Sequence, residues 1–272
     1  MLCIKTLRNF TERIPLSWAK GTNGKLINPI ANNIPLPRSD YFMFGILRGS
    51  GDIFRRCQQF GYTFYYADHA YLYNNSFPKH STYRITKNWH CNYSIQNRPA
   101  DRYKLFKKKE LADWKKNENG YILICPPSLY IQIFDNQFDW LIKTVSNIKK
   151  YTNRKIIIRE KPVSDQLYEA ARIKRTIVNE EYSTKSLEED INNAWCVVTY
   201  NSMVAIDALI EGVPVFTDSK MSVAYQMAET NIENIEKPFY PNNRQEFLNH
   251  LAYSQFTIEE MQNGEAFKIL NS

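Results

Sequence analysis

Several absences bound what this chain can be. No apolar run approaches the ~20 residues needed to cross a bilayer, and Met1-Leu-Cys-Ile-Lys-Thr-Leu-Arg8 lacks the apolar segment and small-residue cleavage site of a signal peptide. A chain retained in the cytoplasm, of the host cell if viral, is the expectation. The five cysteines (Cys3, Cys57, Cys91, Cys125, Cys196) are odd in number and widely spaced, which indicates neither a disulfide framework nor a zinc site and suits reduced core residues. The four histidines show no His-x-x-x-His spacing. Glycine is scarce, nine residues against abundant Asn, Lys, Ile and Tyr, a mark of base composition rather than function. No internal repeat or low-complexity tract occurs.

What is present belongs to a globular protein. Hydrophobic residues make up 43% and aromatics 14%, which excludes disorder, and 272 residues exceed one ordinary core, so two domains, 1–119 and 120–272, are expected, with C-terminal helices able to pack back on the first. The net charge of +7 is unevenly shared: residues 1–119 hold 20 Lys+Arg against 8 Asp+Glu and residues 120–272 hold 15 against 20. Arg98, Arg102, Lys104, Lys107, Lys108, Lys109, Lys115 and Lys116 crowd one segment. Such a run implies an anionic partner for the first half, though a charge run by itself is more often a solvated helix face beside a linker.

Residues 1–40, punctuated by Pro15, Pro29, Pro35 and Pro37, read as an irregular arm. Strand-like Tyr41–Leu47, a Gly49-Ser50-Gly51 turn, a helix over 52–60 ended by Gly61 and a strand over 62–67 make a βαβ unit. Tyr83–Ile85 reads as a short strand and Tyr103–Asn117 as a charged helix or linker. In the second half, Tyr121–Cys125 is a buried strand ending at Pro126-Pro127-Ser128. A helix over 134–150, a strand over 155–159 with the loop Glu160-Lys161-Pro162, and helices over 166–172 and 186–193 follow. Helices near 222–230, 243–251 and 258–269 complete the chain. Strands alternating with helices predict an α/β fold, two Rossmann-like domains with parallel sheets.

The stretch Trp195 to Phe216 is the most informative. Cys196–Thr199 suits a strand buried on both faces, Asn201 and Ser202 sit at a turn, and Ser202 is placed to cap a helix whose first N–H groups then point at the carboxyl edge of the sheet, where phosphates bind. Gly212 supplies a left-handed helix end and Pro214 blocks continuation, so Val213–Phe216 returns as a parallel strand. An ordinary βαβ unit without a ligand has the same pattern.

Phe44-Gly-Ile-Leu-Arg-Gly-Ser50, followed by Cys57-Gln-Gln-Phe-Gly-Tyr-Thr-Phe-Tyr-Tyr-Ala-Asp-His-Ala-Tyr71, resembles the N-terminal signature of capsule-type Kdo transferases, glycosyltransferases of the GT-B architecture. Asp68 falls on that family's acidic position. The pattern Asn201-Ser202…Asp207-Ala-Leu…Gly212-Val-Pro-Val is similar to its donor-domain signature, and the two together span about 50 residues. The resemblance implies two domains facing a cleft, a basic acceptor half and a nucleotide-sugar half. The family's Glu-Asp-Gly is here Asp68-His69-Ala70, and its Lys-Pro-His loop is here Glu160-Lys161-Pro162, so neither Kdo nor its cytidine donor is implied.

On this reading Asp68 is the catalytic carboxylate, its pKa raised by burial, and His69 the competing base, since neighbours along a strand face opposite ways. Ser128, Arg159, Lys161, Asn201, Ser202, Met203 and Asp207 are the candidate donor-binding residues, with Arg159 and Lys161 neutralising the diphosphate. Arg48, Gly49 and Ser50 with Tyr71, Arg84, Lys87 and Trp89 are the candidate acceptor residues, cations mixed with aromatics as in sites that stack bases. No Asp-x-Asp motif occurs, so no metal and no obligatory cofactor is expected. The expected acceptor is a polyanion, with the hydroxymethylated pyrimidine of bacteriophage DNA first, a surface glycan second, and a non-catalytic nucleotide- or DNA-binding protein as the third possibility. The oligomeric state is open.

Overall fold

The computed structural model describes residues 1–6, 9–46, 50–91, 95–107, 109–161 and 165–272. Its strands are β1 (Leu2–Ile4), β2 (Lys25–Ile27), β3 (Tyr41–Phe44), β4 (Phe64–His69), β5 (Thr82–Lys87), β6 (Tyr121–Cys125), β7 (Ile156–Ile158), β8 (Glu181–Tyr182), β9 (Ala194–Thr199), β10 (Val215–Phe216) and β11 (Gln255–Thr257). The chain divides into two compact units, Met1–Lys108 with Gln245–Ser272, and Lys109–Arg244. The α/β class with parallel sheets is thus as expected.

Unit 1 is built on a six-stranded sheet in the order β11-β5-β4-β3-β1-β2. It is parallel except for β5, which runs against both neighbours. Alternation along β4 sends Tyr65 and Ala67 to one face, where they join Phe42, Phe44, Tyr83, Ile85 and Phe256 under Trp18. Trp18 stacks on Phe42 at 4.8 Å between ring centroids. Phe64 and Tyr66 go to the other face, against Phe54 of the helix Gly51–Phe60.

The expected irregular arm is instead β1, the helix Asn9–Thr22 and β2. Pro15 lies inside that helix, a position that costs about 3 kcal/mol. Burying Ile14, Trp18 and Ala19 returns roughly 1.5–3 kcal/mol for each large side chain, so tertiary packing overrides the local signal. The return of residues 245–272 rests on a close approach: a Cβ on Gly21 would meet the Met261 carbonyl oxygen at 2.0 Å. The expected helix over 258–269 is two, Ile258–Gln262 and Glu265–Leu270, separated by Gly264 at φ +84°.

Unit 2 has an all-parallel sheet, β10-β9-β6-β7-β8. Its strands other than the edge strand β8 are buried on both faces, as near-continuous runs such as Tyr-Ile-Leu-Ile-Cys and Ala-Trp-Cys-Val-Val-Thr require. The sequence-predicted helix over 134–150 is two, Leu129–Asp135 and Trp140–Ile148, because Asn136 turns left-handed at φ +53°. The expected helix near 222–230 reduces to a short 3₁₀ turn, Tyr225–Met227.

The expected charged helix over 103–117 stops at Phe106. Beyond it the chain runs extended along unit 2: the Ala112 N–H donates to the Ile210 carbonyl and the Lys115 N–H to that of Gly212, at 2.9 and 2.7 Å. The unit boundary accordingly falls at 108/109 rather than 119/120. Gly212 has the expected left-handed backbone, φ +75°, and a Cβ there would sit 1.9 Å from the Asp113 oxygen.

Candidate functional site

Both units gather polar side chains at the carboxyl edges of their parallel strands, where open α/β sheets bind ligands. In unit 1 the centre is Asp68, near the end of β4. Its Oδ2 accepts from the Tyr66 hydroxyl at 2.7 Å and from Arg84 Nη2 at 3.2 Å, and its Oδ1 accepts from the His69 N–H at 2.8 Å. The pairing is dictated by register, since Asp68 and Arg84 are directly opposed across β4 and β5. The guanidinium lies over the Tyr71 ring at 5.2 Å, and its Nη2 is 3.5 Å from His90 Nε2.

Electrostatics in this cluster run opposite to the expectation. Burial alone would raise the Asp68 pKa, but Arg84, His69, the Tyr66 hydrogen bond and His90 outweigh it, and the carboxyl titrates below its ordinary range. Arg84 loses from burial and gains more from Tyr71, Asp68 and Tyr66, so it stays charged. Burial, then the Asp68 charge, hold Tyr66 protonated, and burial pushes the Cys91 thiol up to about 12. Asp68 is therefore an ionised carboxylate in a fixed frame, with 27% of its side chain exposed.

Asp68, Arg84 and Tyr71 come together as candidate residues. His69 faces the other side of the strand, its ring edge-on to Phe44 and to His80. Lys87 is at the far end of β5, opposite Tyr65 at the amino end of β4, and its Nζ donates to Asn271. It does not join the cluster, because β5 is antiparallel. Trp89 is half-buried and its carbonyl accepts from Thr86. Ser50 is buried against the Phe44 carbonyl at 3.5 Å, and Arg48 and Gly49 lie outside the described residues. Tyr66 was legible as the i−2 neighbour of Asp68 on a strand; His90 was not, since a left-handed turn at Asn88, φ +62°, brings it back.

In unit 2 the chain proceeds from β6 to β7 and β8 on one side and returns as β9 and β10 on the other. The switch point is therefore between β6 and β9. Ser128 follows β6 and Asn201 follows β9; both are half-buried, and neither side chain makes a hydrogen bond among the described residues. Lys161, beyond β7, is exposed.

Three details differ from the sequence reading. The helix after β9 is only Val204–Ile210 and starts one residue late, with Met203 at its boundary. Its first N–H groups are engaged internally: Val204 donates to Ser202 Oγ, Ala205 to the Ser202 carbonyl and Ile206 to that of Met203. Arg159 does not point a free cation at the edge, because its Nη1 donates to Asp190 at 2.6 Å and to the Lys185 carbonyl at 2.8 Å. Asp207 is half-buried in the first turn of the helix, near enough to Cys125 to help burial raise that thiol.

Much of the basic segment is also engaged within the fold. Arg102 pairs with Glu260 and reaches the Ala252 and Gln255 carbonyls; Lys109 and Lys115 both pair with Glu211; Arg98 lies over the Tyr253 ring. Unit 1 still carries 18 Lys+Arg against 9 Asp+Glu, a net of +9, and unit 2 carries 17 against 19, a net of −2. Among the described residues no group of three His, Cys, Asp or Glu side chains could hold a metal ion, and no helix is long and apolar enough to cross a membrane.

No family model and no curated protein matches the chain. Among solved structures it is similar to KpsC of Thermosulfurimonas dismutans, as a beta Kdo 2,4 transferase (TM-score 0.49, 8% identity, 91% of this chain and 89% of that one). A second is the same organism's KpsC as a beta Kdo 2,7 transferase (0.47, 10%, 99% and 98%). A third is a mutant of S. aureus TarM in complex with fondaparinux, alpha-GlcNAc-glycerol and UDP (0.29, 16%, 66% and 34%). At these identities and scores the likeness decides nothing further, and function rests on this chain's own residues.

Proposed function

We propose that the protein is a glycosyltransferase that moves a sugar from a nucleotide donor to the hydroxyl of an acceptor bound by unit 1. The observation that carries this is Asp68, an ionised and partly accessible carboxylate locked by Arg84 and Tyr66 at a carboxyl sheet edge. A carboxylate with so low a pKa is a weak base. Attack on an oxocarbenium-like anomeric carbon acidifies the incoming hydroxyl as its bond forms, so a fixed acceptor for that proton suffices. Ser128 and Asn201 at the switch point of unit 2 are the donor contacts, with Ser202, Met203 and Asp207 framing the loop. Lys161 is the cation left to face a leaving diphosphate, and no metal is assigned to the step.

The net charge of unit 1 favours an anionic acceptor. Engagement of Arg102, Lys109 and Lys115 within the fold weakens the case for nucleic acid that their clustering in sequence had suggested. Hydroxymethylpyrimidine DNA stays the first acceptor to test and a surface glycan the second. Incubation with a panel of nucleotide sugars and either hydroxymethylated or plain DNA, followed by digestion and mass spectrometry, should show a sugar-sized gain on the modified base alone. DNA unchanged by every donor would discard that acceptor, and no transfer to any hydroxyl acceptor or water would discard the enzyme. Activity should survive EDTA.

A further inference from the structure

Unit 2 holds a cavity of about 210 Å³ away from the β6/β9 switch point, beside the end of β10. One wall is the helix Trp140–Ile148, which presents Trp140, Thr144 and Asn147, residues four and three apart on one helical face. The other comprises Phe216, Asp218 and the segment around Glu229. The volume is below the roughly 300–1,000 Å³ of drug-sized sites, so it accommodates a single ring.

The lining specifies which ring. Trp140 and Phe216 supply flat apolar surface. The Trp140 indole N–H, the Thr144 hydroxyl and the Asp218 carboxylate make no hydrogen bond to any described residue, and none of them is sealed from solvent, so each is open to a ligand. Two carboxylates and no Lys, Arg or His line the cavity, which disfavours phosphates and other anions. Apolar plates with unengaged donors and acceptors at their edge match a pyranose, whose C–H face is apolar and whose rim of hydroxyls both donates and accepts. We infer that this cavity is a binding site for a neutral monosaccharide, separate from the donor loop. The site also touches that loop: Trp140 packs edge-on against Tyr200 at 6.0 Å, and Thr217 Oγ1 donates to the Tyr200 carbonyl, one residue before Asn201.

Methyl glucoside, methyl galactoside and methyl N-acetylglucosaminide, titrated into the full chain and followed by tryptophan fluorescence and saturation-transfer NMR, test this. At least one should bind saturably, while glucose 6-phosphate binds more weakly or not at all. Thr144→Leu, which fills the cavity without emptying the core, should weaken binding at least about tenfold, and Asp218→Asn, at an exposed position, should weaken it less. Asn201→Ala should leave it unchanged. Failure of all three glycosides to bind, equal binding of the phosphate, indifference to Thr144→Leu in a protein of unchanged Tm, or loss of binding in Asn201→Ala would each overturn the assignment.

Discussion

Each unit places an Asp–Arg pair at the carboxyl side of its sheet, and the two pairs are mirror images in exposure. In unit 1 the Arg84 side chain is 7% exposed and Asp68 27%; in unit 2 Arg159 is 26% exposed and Asp190 0%. Asp190 accepts from Arg159, from Ser183 Oγ at 2.6 Å and from the Tyr121 hydroxyl, and all of its side chain is closed off from solvent. Asp68 is held as firmly by its neighbours but keeps a face to solvent. Position at a sheet edge therefore does not distinguish chemistry from architecture. Under the proposed function, which member of the pair is sealed does.

The largest expected effect separates the two aspartates. Asp68→Asn keeps the shape and a hydrogen-bond acceptor but removes the proton acceptor, and transfer should fall about 10²–10⁴-fold with donor binding retained. Asp190→Ala should act on folding instead. Breaking a buried pair costs about 3–5 kcal/mol, and the lower end applies because Arg159 can turn toward water. Parallel kcat and urea titrations check both. Comparable activity loss in two folded, equally stable variants would erase the distinction.

A smaller effect sets the units apart by pH. His250, in unit 1, is 5% exposed, with Nδ1 accepting from the Gln96 N–H at 3.3 Å, and burial followed by the Arg98 charge lowers its pKa from 6.5 to about 4. The unfolded chain thus takes up the proton first. Stability from this group is complete above about 6.5 and is lost as pH falls toward about 4, a total of roughly 3 kcal/mol. Denaturant unfolding of the wild type and of His250→Gln across that window should show the steeper slope in the wild type, and hydrogen exchange should locate the additional weakening in unit 1.

Much of this was legible in the chain and some was not, for definite reasons. The strand Tyr121–Cys125, the left-handed Gly212 and the return of Val215–Phe216 follow from local apolar runs and backbone preferences. β1, β2 and β11 are three residues each and carry no periodicity to detect, while Pro15 actively misdirects. At the site, Asp68 stood out by its place after an aromatic strand. The sign of its pKa did not, because Arg84 comes from a strand whose antiparallel register only the fold reveals. The basic run misled for the same reason: Glu188, Glu211 and Glu260, which absorb Lys109, Lys115 and Arg102, lie about 80 to 160 residues away in sequence.

The subtlest test removes the cation and keeps the carboxylate. Burial raises the Asp68 pKa and Arg84 is the largest influence lowering it. Arg84→Gln preserves length and a hydrogen-bond donor but leaves burial less opposed, so the carboxyl should titrate at higher pH. In the wild type the acid limb of the pH–rate profile should lie below the ordinary carboxylate range, where Asp68 loses its charge. In Arg84→Gln the limb should move upward, with the rate on the alkaline plateau falling less than in Asp68→Asn and even rising where base strength limits the step. The equivalent change in unit 2, Arg159→Gln, should leave the shape of the profile alone and lower Tm. An acid limb that moves with Arg159 and not with Arg84 would reverse the assignment of the two pairs.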